Sequence, residues 1–120
     1  MKRDMDLIRQ ILLKTEEQPP NLNVVDLSFP EVDVATIGEH VHLLDEAGLV
    51  EAIDCSSRAG IDWKPMRLTW IGHEFLDASR NETVWQKAKT TLKEKGLGIS
   101  YELMKVVLIE GTKQILFKPH

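Results

Sequence analysis

The sequence predicts an α+β fold in which helices flank a single β-hairpin, and three observations carry that expectation. The first is the stretch from Asp33 to Val50. Asp33 can cap a helix with its carboxylate, and Gly48 can take the left-handed position that ends one. Between them Val34, Ile37, Val41 and Leu44 recur at three- and four-residue steps, which places them on one face, and Leu49 stands where an apolar residue folds back on the last turn. The second is that a β-prone run, residues 49–54, follows at once, with a partner at residues 64–68. The third is a set of helical patterns beyond that pair. A helix directly ahead of a hairpin is the arrangement of winged-helix modules. The expected architecture is therefore a winged-helix-like domain over residues 1–79 with a two-helix extension over residues 80–120.

Each element has its own justification. Residues 4–17 read as a first helix: Leu7, Ile8, Ile11 and Leu12 form a stripe of helical period, and Asp4 and Asp6 suit the positive end of the helix dipole. Pro19-Pro20 stops it, because neither residue can donate to a helix and each pushes its predecessor into extended backbone. Residues 21–32 carry apolar side chains without helical spacing and read as a loop with one short strand near residues 24–27. The segment 55–63 is polar, contains Gly60 and exceeds a tight turn, so it is expected to be a flexible wing tip. Thr69 caps a third helix with Ile71, Phe75 and Leu76 facing inward. Gly72 inside that helix is unfavourable by propensity and implies a close approach by another element. Asn81 opens a fourth helix to about residue 95, with Val84, Trp85, Ala88 and Leu92 on its apolar side, and Gly96 and Gly98 break it. Ser100 caps a last helix that runs through about residue 110 and on towards 116. That helix is apolar on two faces: Leu103, Val106 and Val107 form one stripe, and Met104, Leu108 and Ile115 form another. A helix apolar all round is normally buried: the extension either packs back into the core of its own chain or pairs with a second subunit, and in the second case Met104, Leu108 and Ile115 are expected at a homodimer interface.

Composition bounds the function. With 120 residues, 42% hydrophobic and 28% charged, the chain fits one soluble globular protein. No apolar run approaches the ~20 residues of a membrane span, so no membrane association is expected. The N-terminus lacks the apolar core and cleavage site of a signal peptide, and a single Cys55 fits a reducing cytoplasm. Net charge is −4, but unevenly spread: residues 15–57 hold ten Asp/Glu and no Lys or Arg, whereas the rest holds fifteen basic against nine acidic residues.

Several blocks together resemble a known family. They are Met1-Lys-Arg-Asp-Met-Asp-Leu-Ile-Arg9, His42-Leu-Leu-Asp-Glu-Ala-Gly-Leu-Val50, Arg67-Leu-Thr-Trp-x-Gly-His-Glu-Phe-Leu-Asp77 and Val84-Trp-x-Lys-Ala88. In combination they resemble the bacterial and prophage family known as domain of unknown function 2513, over nearly the whole chain. The Leu-Leu-x-x-Ala-Gly-Leu and Arg-Leu-Thr-x-x-Gly pieces are also similar to winged-helix transcription regulators. The resemblance implies a winged-helix fold and a cytoplasmic, often phage-associated, protein; it implies no activity. The stretch before Asp33 is too short for a separate second helix of a standard helix-turn-helix.

Two function classes follow. One is a regulator or accessory factor that binds double-stranded DNA through the wing, with Arg58, Trp63, Lys64 and Arg67, and through the fourth helix, with Lys87 and Lys89. Lys2, Arg3 and Arg9 add charge at the N-terminus. Basic residues beside an aromatic suit backbone contact and stacking, although runs of charge also serve simply as solvated surface. The other class is a protein-interaction module using the outward face of the 33–47 helix: Thr36, Glu39, His42, Leu43 and Glu46. Recognition helices supply Arg, Lys, Asn or Gln to bases; this face offers two carboxylates and no permanent cation, which phosphates would repel. The charge map thus favours the protein partner and the fold resemblance favours DNA. Metal and cofactor binding are not expected. His40 and His42 diverge on a helix, His42 with Glu46 makes only two ligands, and a structural zinc site needs four. His40 is expected to be a half-buried, hydrogen-bonded side chain, and Trp70 and Trp85 to pack in a core or interface. No nucleophile has a sequence-local base, so no enzyme is expected.

Overall fold

The computed structural model describes residues 1–117, without the side chains of Thr112 and residues 114–117. The fold is α+β: α1 (Met5–Glu16), α2 (Val34–Glu46), β1 (Val50–Asp54), β2 (Trp63–Leu68), α3 (Trp70–Ser79), α4 (Glu82–Glu94) and α5 (Tyr101–Phe117). The chain divides into two compact units, Met1–His73 and the part from Glu74 onward, so the division falls inside α3.

In the first unit the helix ends follow the capping chemistry of the sequence. Asp4 accepts from the Asp6 and Leu7 amides, and Asp33 from the Thr36 amide at 2.9 Å. The α2 C-terminus is a Schellman motif: Gly48 has φ 79°, the Leu49 amide donates to Leu44 O at 2.9 Å and the Gly48 amide to Asp45 O at 3.1 Å. Met5, Leu7, Ile8, Ile11 and Leu12 of α1 are buried, as are Ile37, His40, Val41 and Leu44 of α2. α1 packs on α2 and β2, and α2 packs on both strands. Val34 is 59% exposed, against expectation. It stands at the first position of the helix, and the buried face is made by Ile37, Gly38, His40, Val41 and Leu44.

β1 and β2 form a two-stranded antiparallel sheet, Val50 opposite Leu68 and Asp54 opposite Trp63, with a register shift between Glu51 and Ala52. Ala52 faces Pro65; proline has no N–H for the ladder, so a register irregularity falls where it sits. No strand forms at residues 24–27. What remains of that expectation is one ladder-type bond, from the Val25 amide to Pro65 O at 2.8 Å. The wing tip is tied rather than loose. The Cys55 amide donates to Asp62 O, Ser57 and Gly60 exchange amide–carbonyl bonds, and the Asp62 amide donates to Ser56 Oγ.

Thr69 caps α3, accepting from the Gly72 amide and donating to Gly48 O. The close approach expected at Gly72 is present: a Cβ there would lie 2.0 Å from Leu49 O. The first turn of α3 otherwise departs from expectation. Trp70 is 78% exposed and Ile71 51%, because the narrow Gly72 flank is the one that faces the hairpin.

In the second unit Asn81 caps α4 through the Val84 amide, and Ser100 caps α5 through the Leu103 amide. α4 packs on α5. Trp85 is buried and meets Phe75 edge-on at 6.4 Å, and Phe75 also meets Tyr101 at 4.9 Å. Met104 and Leu108, expected at a dimer surface, are fully buried within the chain. Their stripe faces inward, so they supply core packing instead of a surface for a second copy. Ile115 lies outside the residues whose side chains are described. Among the described residues no helix is long and apolar enough to cross a membrane.

Candidate functional site

The hairpin brings two separately nominated residues together. His42 projects from α2 and Trp63 opens β2, and their rings stack at 4.1 Å with planes 3° apart. A glycine makes this possible. A Cβ on Gly38, one turn before His42, would lie 2.9 Å from the Trp63 backbone nitrogen and 3.3 Å from Ile61 Cγ2, so only glycine lets β2 settle on the flank of α2.

Carboxylates ring the stack. His42 Nδ1 lies 3.7 Å from Glu39 and Nε2 3.2 Å from Glu46, which holds two acids on the imidazole edge. Asp54 sits opposite Trp63 in the strand register. The hydrogen bonds donated by Ser56 hold its carboxyl below the ordinary value. Beside the stack, Thr36, Glu39 and Leu43 line a groove together with Arg3, Ala35 and Ile61.

Two of the three hairpin cations, Lys64 and Arg67, are paired. Lys64 is bound to Asp26, which raises its pKa above the ordinary value, with Asp62 at 3.9 Å. Arg67 pairs with Glu51 at 3.0 Å. Arg58 stands in the exposed Ser57–Gly60 turn, apart from the stack. Lys87 and Lys89 are on α4 in the other unit, two positions apart and so about 200° round the helix from each other. Arg9, counted among the basic residues, is buried on α1. Thus all five residues nominated on α2 share one surface, whereas the six nominated for DNA split between the two units, and two of the four on the hairpin, Lys64 and Arg67, are held by carboxylates.

His40 is fully buried, deeper than expected, and hydrogen-bonded as expected. The Asp4 amide donates to Nε2 at 2.9 Å, so that nitrogen is unprotonated and Nδ1–H donates to Thr36 O at 2.8 Å. This ties the start of α1 to α2. Gly38, Asp54 and Ile61 were missed from the sequence. Gly38 alone carried a signal, a glycine inside a helix, of the kind that was read correctly at Gly72. Among the described residues no group of three His, Cys, Asp or Glu is placed to hold a metal.

A family model described as "Hypothetical protein (DUF2513)" matches residues 2–98, which takes in α1 through α4 and every residue of the stack and its carboxylates. The chain belongs to the DUF2513 family. A relative from Haemophilus influenzae, described as "Uncharacterized protein", is 46% identical over 117 residues, covering 97% of this chain and 99% of its own length. No solved structure matches. The DUF2513 match stops just before α5, whereas the alignment with the Haemophilus relative spans nearly all of both chains.

Proposed function

We propose that this DUF2513 protein is a cytoplasmic, non-enzymatic interaction module on a winged-helix-like scaffold, and that the acidic face of α2 takes a cationic segment of a protein partner. The observation that carries this reading is the His42–Trp63 stack with Glu39 and Glu46 at its edge. An aromatic surface bordered by carboxylates suits an Arg or Lys side chain, which gains ion pairing at its head and apolar contact along its stem. The scaffold reading is supported by the order of elements, a helix leading directly through a Schellman turn into a hairpin.

The neighbouring charge weighs against duplex DNA. A phosphate approaching α2 would meet Glu39, Glu46 and Asp54, while Lys64 and Arg67 are already paired with carboxylates. Duplex binding rests on free cations that release counterions.

A salt titration separates the two readings. Starting near about 50 mM salt, a labelled arginine-rich peptide is expected to bind the protein and a labelled duplex is not. Duplex binding that falls steeply with salt and is lost in Arg58→Ala would overturn the proposal.

A further inference from the structure

The second unit carries a groove of its own. It runs along the α4–α5 pair, has a volume of 790 Å³, and has Ala88 and Leu92 of α4 and Leu103 and Val107 of α5 among its lining residues. Ala88 and Leu92 are buried, and Leu103 and Val107 are half-buried. Lys87 and Lys95 stand on its α4 side, both exposed. They are eight residues apart, which puts them about 12 Å apart along the helix axis and about 80° apart around it. The acid on the opposite wall, Glu110, pairs with Lys113 at 3.8 Å, so the α4 rim is the cationic one.

We infer that this groove docks an acidic amphipathic helix of a protein partner. Its apolar residues, spaced three and four apart, lie along the floor, and two carboxylates about two turns apart meet Lys87 and Lys95. Charge complementarity selects this occupant over the others. A single-headed anionic amphiphile carries one charge for two separated cations. The acidic α2 face of a second copy presents Leu43 of α2 and Ile61 of the hairpin connection, side chains from two separate elements rather than a helical stripe at the three- and four-residue spacing the floor would take.

The test uses the full chain and a fluorescent helical peptide with leucines at helical spacing and two glutamates eight residues apart. Anisotropy should show saturable binding. The exposed double change Lys87→Glu with Lys95→Glu, with folding checked by circular dichroism, should weaken it about tenfold at low salt, two exposed ion pairs being replaced by repulsion. A peptide with both glutamates changed to lysine should bind that variant more tightly than it binds the native chain. Absence of saturable binding would overturn the inference, as would affinity unmoved by the charge swap. Sedimentation showing a dimer that the variant dissociates would assign the groove to a second copy. Full displacement of the peptide by decanoate below its micellar concentration would assign it to a small amphiphile.

Discussion

Gly72 shows how far one residue's missing side chain can decide the fold. Its Cα lies against the Leu49 carbonyl, which also accepts from the Thr69 amide at 3.0 Å. A methyl group 2.0 Å from that oxygen cannot be relieved by a rotamer change, because its neighbour is backbone. Gly72→Ala is therefore expected to destabilise the protein by about 3 kcal/mol or more, despite the better helix propensity of alanine, as read from the urea midpoint. Asp33 gives a second outcome at this scale. The Thr36 hydrogen bonds lower its pKa below the ordinary 3.8. Its contribution is thus present above that value and is lost as pH falls through the lower, folded-state pKa. Asp33→Asn keeps an amide-accepting cap but has no carboxylate to titrate, so stability measured from pH 5 down to pH 2 should fall less steeply than in the native protein. At Gly72 the sequence was informative because a helix-interior glycine costs propensity and so implies a reason. At Trp70 it was not, because hydrophobicity says nothing of which flank of α3 the backbone of Leu49 would occupy.

Between elements, the decisive packing is hairpin against helix. β2 lies on α2 because Gly38 leaves room for the Trp63 backbone, and the His42 and Trp63 rings then stack. Gly38→Ala should move the hairpin by a few tenths of an ångström or more. The expected net cost is about 1–2 kcal/mol once the propensity gain is offset, together with a shifted Trp63 indole N–H resonance. An unshifted resonance with raised stability would show that the hairpin gives way freely. Helix existence and most caps were legible here: Asp33, Asn81 and Ser100 cap as their positions imply, and Asp4, expected only as an acid at the positive end of the α1 dipole, is the cap itself. The strand expected at residues 24–27 was not, because the single bond from Val25 to Pro65 depends on where β2 falls in space. Likewise the pairing of His42 with Trp63 was invisible, since a separation of 21 residues carries no periodic signal.

Over the whole chain, the uneven charge of the sequence becomes a division of surfaces. The acidic block contributes Glu39, Glu46 and Asp54 around the aromatic stack, and two more of its acids, Asp26 and Glu51, occupy the hairpin cations Lys64 and Arg67. Net charge alone could not show this, because it does not say which cations are left unpaired. The burial of Met104 and Leu108 was equally closed to the sequence: an all-round apolar helix satisfies its stripes against its own chain or against a copy, and only packing decides. The central claim is that Glu39 and Glu46 create the recognition surface. It is tested most directly by the affinity of the arginine-rich peptide for the double variant Glu39→Lys with Glu46→Lys, both positions being partly or fully exposed. The expected result is a dissociation constant raised at least about tenfold at low salt, a change of about 1.4 kcal/mol, with thermal unfolding little altered. An unchanged affinity in a folded variant would contradict the account.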